Sequence, residues 1–258
     1  MTRKIALITG ANRGIGFEIA RGLGQAGATV LIGARSAEHG SAAAAALRGE
    51  GLDARFVQLE VTDADSIAAA AKDVETSHGR LDILVNNAAV ASLREPDVAP
   101  GELPAENTGD LTADEARRIL DINVVGVLAV TNALLPLLRK AAAARVVNLS
   151  SEVGSNTLAL DRNGPLWPMQ GGVYGASKAA VNRLTISYAK QFWDGPITFN
   201  MVSPGYCDTD MNNHSGYKTP AQGAAPAVRL ALMDDDSPRA EFHSDEEEAH
   251  TADGLIPW

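Results

Sequence analysis

Short runs of apolar and β-branched residues alternate along the chain with longer, alanine-rich helical stretches. Several runs are apolar on both alternating faces, as expected of strands in a parallel sheet that helices cover on each side. We predict strands at Lys4–Thr9, Thr29–Ala34, Arg55–Leu59, Leu81–Asn86, Arg145–Ser150 and Ile197–Ser203. We predict helices at Gly14–Ala26, Ala37–Gly49, Ala64–His78, Thr112–Leu138 and Gly172–Trp193, with a break in the fourth before Asn123. This alternation predicts an α/β fold with one doubly wound, Rossmann-type parallel sheet of about seven strands and helices on both faces.

Two irregular segments interrupt the alternation. Ala91–Gly109 is rich in proline and is predicted to be a surface loop, and residues at about 152–172 form an insertion between the fifth strand and the next helix. Residues at about 206–220 follow the sixth strand and are assigned as a substrate loop. The acidic cluster at residues 245–248 is predicted to be solvated surface. We predict that residues 1–258 form a single NAD(P)-binding domain.

Composition excludes several classes of function. The charge sum is 22 − 32 = −10, which argues against nucleic acids and anionic membranes as partners. The N-terminal apolar run is too short for a signal peptide, and we expect no window with the roughly 18 apolar residues of a membrane span. The five histidines lack paired metal-ligand spacing, so we predict no metal site. The single cysteine, Cys207, fits a reducing compartment, and we predict a cytoplasmic location.

A glycine-rich turn joins the first strand to the first helix. Its sequence runs from Thr9 through Gly10, Asn12 and Arg13 to Gly14, Ile15 and Gly16. Glycines permit a tight turn and let backbone N–H groups approach a pyrophosphate at the helix N-terminus. The spacing differs from that of long Rossmann dehydrogenases, and no Lys-Ser or Lys-Thr pair follows to make a P-loop. The turn therefore predicts a site for a dinucleotide.

The end of the second strand indicates which dinucleotide. An acidic residue there would bind a ribose 2′-hydroxyl, but Ala34 occupies that position and Arg35 follows it. Arg13 adds a second cation inside the glycine turn. Two guanidinium groups near one ribose suit a 2′-phosphate through charge-assisted hydrogen bonds. The cofactor is therefore predicted to be NADP(H); the alternative is that both are ordinary surface arginines.

Tyr174 and Lys178 are four residues apart and lie on one face of a predicted helix. An ammonium near a phenol stabilises the phenolate and lowers the pKa of the phenol. At roughly 5 Å and an effective dielectric constant of about 20 the attraction is about 3.3 kcal/mol. We therefore expect the Tyr174 pKa to fall from about 10 to between about 7 and 8, which suits a general acid. On its own such a pair is weak evidence, because many exposed helices carry one.

Taken in order, these motifs resemble those of the short-chain dehydrogenase/reductase family, and the resemblance covers essentially the whole chain. Six motifs carry it: Thr9–Gly16; Asn86–Ala89; Asn123 within Asp121–Gly126; Ser150–Ser151; Tyr174 with Lys178; and Ser203–Gly205 through Thr209.

The resemblance implies a role for each catalytic residue. Tyr174 would protonate the substrate carbonyl oxygen, and Ser151 would donate a hydrogen bond to the same oxygen. Lys178 would lower the Tyr174 pKa and bind the nicotinamide ribose, while Asn123 would hold a water that relays protons. The implied cofactor-binding residues are Gly10, Asn12, Arg13, Gly14, Ile15, Gly16, Arg35, Glu60, Val61, Asn87, Ala88, Tyr174, Lys178, Pro204, Gly205, Cys207 and Thr209. Trp167, Met169, Tyr206, Met211 and Phe242 are candidates for the pocket lining, although core packing is as good an explanation for each.

The chain departs from the family pattern at three places. Glu60 stands where the family has an aspartate against the adenine, and Ala89 replaces a glycine. Ser151 and Tyr174 are separated by 23 residues rather than about a dozen, which makes the carbonyl-reductase-like branch most similar. This implies an NADPH-dependent oxidoreductase that interconverts a ketone or aldehyde with its alcohol.

Two questions remain open on the sequence. A non-catalytic sensor of NADP(H) is the alternative function, but such proteins typically lose the tyrosine or the lysine, and both are present. For assembly, we predict a monomer, with a homodimer or homotetramer as alternatives. The reason is that apolar residues of the insertion, such as Leu158 and Leu160, would cover the outer faces of the Asn123 and Tyr174 helices.

Overall fold

A computed structural model describes residues 3–94, 98–99, 101–102, 107–169, 171–233, 237–244 and 254–258. Its strands are β1 (Ile5–Thr9), β2 (Thr29–Ala34), β3 (Ala54–Gln58), β4 (Ile83–Asn86), β5 (Ala144–Leu149), β6 (Ile197–Val202) and β7 (Phe242–His243). Within the described part of the chain these seven strands form one sheet in the order β3-β2-β1-β4-β5-β6-β7. Every pairing is parallel.

Eight α-helices accompany the sheet among the described residues. They are α1 (Gly14–Gln25), α2 (Ala37–Gly49), α3 (Ala64–His78), α4 (Ala113–Leu120), α5 (Gly126–Leu138), α6 (Asn156–Ala159), α7 (Gly172–Gln191) and α8 (Pro220–Leu232). N-terminal capping shows why two of these helices begin where they do. The Asp63 side chain accepts hydrogen bonds from the Asp65 and Ser66 amides at the start of α3. Thr112 and Glu115 form a capping box at the start of α4.

The sheet separates two hydrophobic cores. On one face, Leu7 and Leu84 pack with Val74 of α3, Leu134 of α5 and Tyr188 of α7. On the opposite face, the neighbouring strand residues Ala6, Ile8, Ile83 and Val85 pack against apolar residues of α1, α2 and α8. Because successive strand side chains point to opposite faces, strands that are apolar throughout supply both cores at once.

The predicted doubly wound parallel sheet with helices on both faces is confirmed. The six placed strands and five helical stretches are present, with ends that differ by one or two residues. Three elements had no predicted position, namely the short helix α6 within the insertion, α8 and the short strand β7. The acidic cluster at residues 245–248 lies outside the described residues.

The predicted break before Asn123 is a π-helical turn, Asp121–Val125, between α4 and α5. The continuous helical stretch Ala113–Leu138 has 26 residues and, by length and composition alone, could cross a membrane. Our expectation that no window of the sequence is long and apolar enough for a membrane span is therefore wrong. The stretch behaves as a core helix, because Leu134 and Leu137 are 2% exposed and belong to the first core.

Among the described residues of the insertion, Leu158 does not cover the helix faces that we expected it to cover. Leu158 packs instead against Met201, Phe242 and Ile256, at the edge of the sheet near β7. The backbone of Thr157 also donates to the carbonyl oxygen of Trp258 at 2.8 Å. On the outer face of the Asn123 helix, Val125 is 50% exposed. The prediction of a monomer loses this physical basis and stays untested.

Candidate active site

The residues predicted to bind cofactor and substrate lie at one edge of the sheet. Gly10, Asn87 and Ser203 come directly after the ends of β1, β4 and β6, and Ser151 is the second residue after β5. Because the strands are parallel, their carboxyl ends meet at the same edge, where open α/β sheets bind their ligands.

The glycine turn has the shape of a phosphate cradle. Gly10 and Gly14 have φ values of 65° and 59°, which disfavour other residues. A Cβ atom at Gly16 would lie 2.5 Å from Asn87 Nδ2 and 2.7 Å from the Gly10 carbonyl oxygen, so no side chain fits there. Arg13 is the N-cap of α1 and its side chain makes no capping hydrogen bond, so it does not occupy the first N–H groups of α1. The turn therefore fits the pyrophosphate of a dinucleotide.

Asn87 and Ala88 hold this turn against the end of β4. The Thr9 hydroxyl accepts from the Asn87 and Ala88 amides at 2.9 and 3.0 Å. In return, the Asn87 side chain donates to the carbonyl oxygens of Thr9 and Gly10 at 2.9 and 3.2 Å. These hydrogen bonds thus join the glycine turn to Asn87 and Ala88, which belong to a separate motif and are also predicted to bind the dinucleotide.

The two arginines predicted to bind a 2′-phosphate differ in their surroundings. Arg35 is exposed beyond the end of β2 and makes no hydrogen bond or ion pair with any residue that the structure describes. Arg13 is also exposed, but its guanidinium lies 3.0 Å from a carboxylate oxygen of Asp210. An anionic ligand would meet a free guanidinium at Arg35 and a partly neutralised one at Arg13.

Glu60 and Val61 follow β3. The Glu60 carboxylate accepts from the amide and the hydroxyl of Thr62 at 3.2 and 3.0 Å, so its own turn fixes its direction. Val61 is buried, and a Cβ atom at Gly126 would meet it at 3.1 Å. The side chain of Val61 therefore packs against the start of α5.

The loop after β6 approaches the glycine turn. Gly205, which follows Pro204, has a φ of 72°, and the Cys207 thiol donates to the Pro204 carbonyl oxygen at 3.3 Å. The Thr209 methyl group would lie 3.8 Å from a Cβ atom at Gly14. Together with the ion pair of Arg13 and Asp210, this places the predicted substrate loop beside the cofactor turn.

Ser151, Tyr174 and Lys178 meet at the end of β5. The Ser151 hydroxyl lies close enough to the Tyr174 phenol to lower the pKa of the phenol. The Lys178 ammonium is buried, donates to the Leu149 carbonyl oxygen at 2.7 Å and lies 5.5 Å from the centre of the Tyr174 ring. Although 23 residues separate Ser151 from Tyr174, the structure brings their hydroxyl groups together.

The protonation of this pair differs from our expectation. Burial raises the pKa of Tyr174 to about 12, and the hydrogen bond from Ser151 opposes the rise only partly. Burial also lowers the pKa of Lys178 to about 8. The expected fall of the Tyr174 pKa is therefore wrong for the protein alone, because our Coulomb sum omitted the desolvation of both groups. Lys178 also donates to Leu149 rather than to the phenol.

The depressed pKa of Lys178 predicts how stability depends on pH. Between the folded pKa of about 8 and the unfolded value of 10.5, only the unfolded chain binds this proton. The free energy of unfolding of wild type, relative to Lys178→Met, should therefore rise by about 1.4 kcal/mol per pH unit above pH 8. Urea unfolding of both proteins from pH 7 to pH 9.5 measures it. The exposed Lys190→Met is the control, and a flat difference for Lys178→Met would contradict the burial of its charge.

Asn123 connects three parts of the site. Its side chain accepts from the Val90 amide at 2.9 Å and donates to the Val90 carbonyl oxygen at 2.8 Å. Its second N–H donates to the Ser177 hydroxyl at 3.0 Å, and Ser177 donates to the Tyr174 carbonyl oxygen at 2.7 Å. Protein groups thus occupy both N–H donors of the amide. The role of holding a water, which the resemblance implies, stays a prediction.

Sequence reasoning missed residues that support the serine and the tyrosine. Ser177 lies between Asn123 and the backbone of α7, while Asn182 donates to Gly154 at the end of the turn that follows Ser151. The α7 spacing offered one signal, because Asn182 follows Lys178 by four residues on the same helix face.

The candidate pocket residues differ in their exposure. The assignment of Phe242 to the pocket lining is wrong, because its side chain is 1% exposed and packs in the core. Trp167, Met169 and Met211 are exposed.

Comparison with known protein families gives one match over most of the chain. The family model for short chain dehydrogenases matches residues 4–219. The matched range begins before β1 and ends at the N-cap of α8, so it contains every predicted catalytic and cofactor-binding residue.

Individual relatives are similar over nearly their whole length. Short-chain dehydrogenase/reductase 1 of Saponaria officinalis is 34% identical, over 94% of this chain and 94% of its own. Carbonyl reductase [NADPH] 1 of Sus scrofa is 32% identical, over 94% of this chain and 92% of its own. Among solved structures, salutaridine reductase from Papaver somniferum has a TM-score of 0.80 at 30% identity, over 93% of this chain and 99% of that one.

Proposed function

The chain belongs to the short-chain dehydrogenase family, and we propose that it is an NADPH-dependent carbonyl reductase acting on ketones or aldehydes. As a member it is an oxidoreductase whose fold binds a nicotinamide cofactor. NADPH, the carbonyl group and a cytoplasmic location are the parts that we propose. Residues 1–258 would act as one unit, with the insertion and the 206–220 loop beside the substrate.

The observation that carries the proposal is the placement of the Ser151 hydroxyl next to the Tyr174 phenol, beside the buried Lys178. Two hydroxyl donors that converge on one point can both bind the oxygen of a carbonyl group. The oxygen gains negative charge as the carbonyl is reduced, so these hydrogen bonds strengthen as the reaction proceeds.

Each residue then has a distinct task. Tyr174, whose pKa is about 12, holds its proton at neutral pH and can give it to the substrate oxygen. The chemistry that a bound NADPH supplies is the hydride for the carbonyl carbon. Lys178, with a pKa of about 8, is still mainly protonated at pH 7 and stabilises the phenolate that remains after the proton has left. Ser151, whose hydroxyl lies beside the Tyr174 phenol, would donate its one O–H to the same substrate oxygen.

The surroundings of Arg35 support NADPH over NADH. Its guanidinium is exposed and has no partner among the described residues, while no carboxylate occupies the end of β2 to bind a 2′-hydroxyl. The name of the similar pig protein, carbonyl reductase [NADPH] 1, agrees with this choice.

A cofactor-oxidation screen tests the proposal. The purified protein is mixed with NADPH or NADH and a panel of ketones, aldehydes and quinones, and absorbance at the reduced nicotinamide band is followed. We expect NADPH to be oxidised with at least one carbonyl compound, much faster than NADH, and Tyr174→Phe to abolish the rate. Binding of NADPH without turnover on any carbonyl or alcohol would favour the non-catalytic sensor.

A further inference from the structure

The turn that carries Ser151 is held by a buried asparagine to which neither the sequence motifs nor the mechanism above gives a role. Asn182 of α7 is 3% exposed. Its Oδ1 accepts a hydrogen bond from the Ser150 hydroxyl at 2.6 Å, and its Nδ2 donates to the Gly154 carbonyl oxygen at 3.3 Å. Ser150 precedes Ser151, and Gly154 ends the 3-10 turn Glu152–Gly154 that follows it. The Asn182 side chain therefore makes hydrogen bonds to the chain on both sides of Ser151.

Asn182 lies on the helix that carries the other two groups. It is four residues after Lys178 and eight after Tyr174, so the three residues lie near one face of α7. We propose that Asn182 is a positioning residue, which fixes the Ser151 hydroxyl against the Tyr174 phenol. This inference rests on the proposed function, since it deepens the role of Ser151 there.

The hydroxyl of Ser151 cannot hold its own turn. Ser151 is the N-cap of the 3-10 turn, a position where serine side chains normally bond to the helix amides, yet it makes no capping hydrogen bond. Its hydroxyl interacts with the Tyr174 phenol instead. The turn consequently depends on bonds from its neighbours, and Asn182 supplies two that join it to α7.

Close packing makes the position of the turn depend on α7. A Cβ atom at Gly154 would lie 2.8 Å from Lys178 Cβ and 2.9 Å from the Lys178 carbonyl carbon. The Gly154 backbone is therefore in contact with the helix at the residue that bears the ammonium. The Ser150 hydroxyl also approaches the Lys178 carbonyl oxygen at 3.5 Å. A shift of this turn would move Ser151 relative to both Tyr174 and Lys178.

Removing the Asn182 side chain should release the turn without removing any group that touches cofactor or substrate. For Asn182→Ala we expect kcat to fall about 10- to 100-fold, because displacements near 1 Å in a catalytic group can cost this much. The Kd for NADPH should stay within about twofold of wild type, since the phosphate cradle lies at β1 and β4.

The experiment compares Asn182→Ala with Asn200→Ala. Asn200 is equally buried, and its amide likewise makes two hydrogen bonds, to the Pro238 carbonyl oxygen and from the Glu241 amide. Hydrogen–deuterium exchange of peptides covering residues 151–159 is followed with kcat and Kd for both variants. We expect exchange in this segment to accelerate by about tenfold for Asn182→Ala only. We expect Asn200→Ala to lower the melting temperature about as much as Asn182→Ala does, but to leave kcat unchanged.

Two further variants separate positioning from general loss of stability. In a Ser151→Ala background, Asn182→Ala should lower kcat by less than about twofold more, because the two changes act through one hydroxyl. Asn182→Asp keeps the acceptor for Ser150, and when protonated it can also donate to Gly154. Its kcat relative to wild type should therefore recover as the pH is lowered through the raised pKa of a buried carboxyl group.

The outcomes distinguish this inference from the proposed function. Unchanged exchange at residues 151–159 in Asn182→Ala, or losses that multiply in the Ser151→Ala background, would overturn the positioning role. A wild-type protein that reduces no carbonyl would refute the proposed function, and the exchange comparison would still decide whether Asn182 holds the turn. Accelerated exchange with unchanged kcat would also overturn the inference, because Ser151 would then not need fixing.

Discussion

Replacing Tyr174 with phenylalanine should lower kcat for carbonyl reduction by at least about 10²- to 10⁴-fold, the range for loss of a general acid. The substitution removes the proton donor that lies beside Ser151, but leaves the ring that lies near Lys178. Binding of NADPH should remain nearly intact, because the glycine turn and Arg35 are untouched. Steady-state rates and a fluorescence titration of NADPH measure both effects.

Tyr188→Phe is a matched control for this prediction. Tyr188 lies on the same helix, and burial also raises its pKa to about 12. Its hydroxyl donates to the Asn132 side chain at 2.7 Å, and we give it no catalytic role. We expect its kcat to stay close to wild type while its stability falls by about 1 kcal/mol for a lost hydrogen bond. A Tyr174→Phe protein within about tenfold of the wild-type rate would remove Tyr174 from the mechanism.

Replacing Arg35 with alanine should weaken NADPH far more than NADH. A charge-assisted hydrogen bond contributes about 1.5–3 kcal/mol, so the Kd for NADPH should rise about 10- to 150-fold. NADH lacks the 2′-phosphate, so its Kd should change by less than about twofold. Titration of each protein with each cofactor measures the four constants.

Arg13→Ala should add to this loss in the double variant but cost less on its own. Arg13 is already paired with Asp210 at 3.0 Å, and a 2′-phosphate has to compete with that carboxylate. Arg118→Ala is the control for net charge, since Arg118 is exposed on α4. Equal losses of NADH and NADPH affinity in Arg35→Ala would mean that Arg35 does not bind the 2′-phosphate.

The fold could be predicted from local patterns, and α8 and β7, which are among the elements without a predicted position, show the limit. The start of α8 carries a clear signal, a Thr219 and Gln222 capping box with Pro220 at the first position. Its interior contains Gly223 and Pro226, which local propensity disfavours, and burial of Ala227 and Leu230 in the second core compensates. The strand β7 has only two residues, which are too few to show the alternation of apolar and polar positions that predicts a strand.

The sequence by itself determined the parallel sheet, the glycine turn and the four-residue spacing of Tyr174 and Lys178, because each depends on periodicity or backbone conformation within a short segment. Only the tertiary structure decided what joins distant segments: Ser151 beside Tyr174, Arg13 with Asp210, and Asn182 across the Ser151 turn. The same limit explains the Tyr174 pKa. Spacing predicts the attraction of a neighbouring charge, whereas desolvation depends on every atom that surrounds the phenol, and here it raises the pKa to about 12.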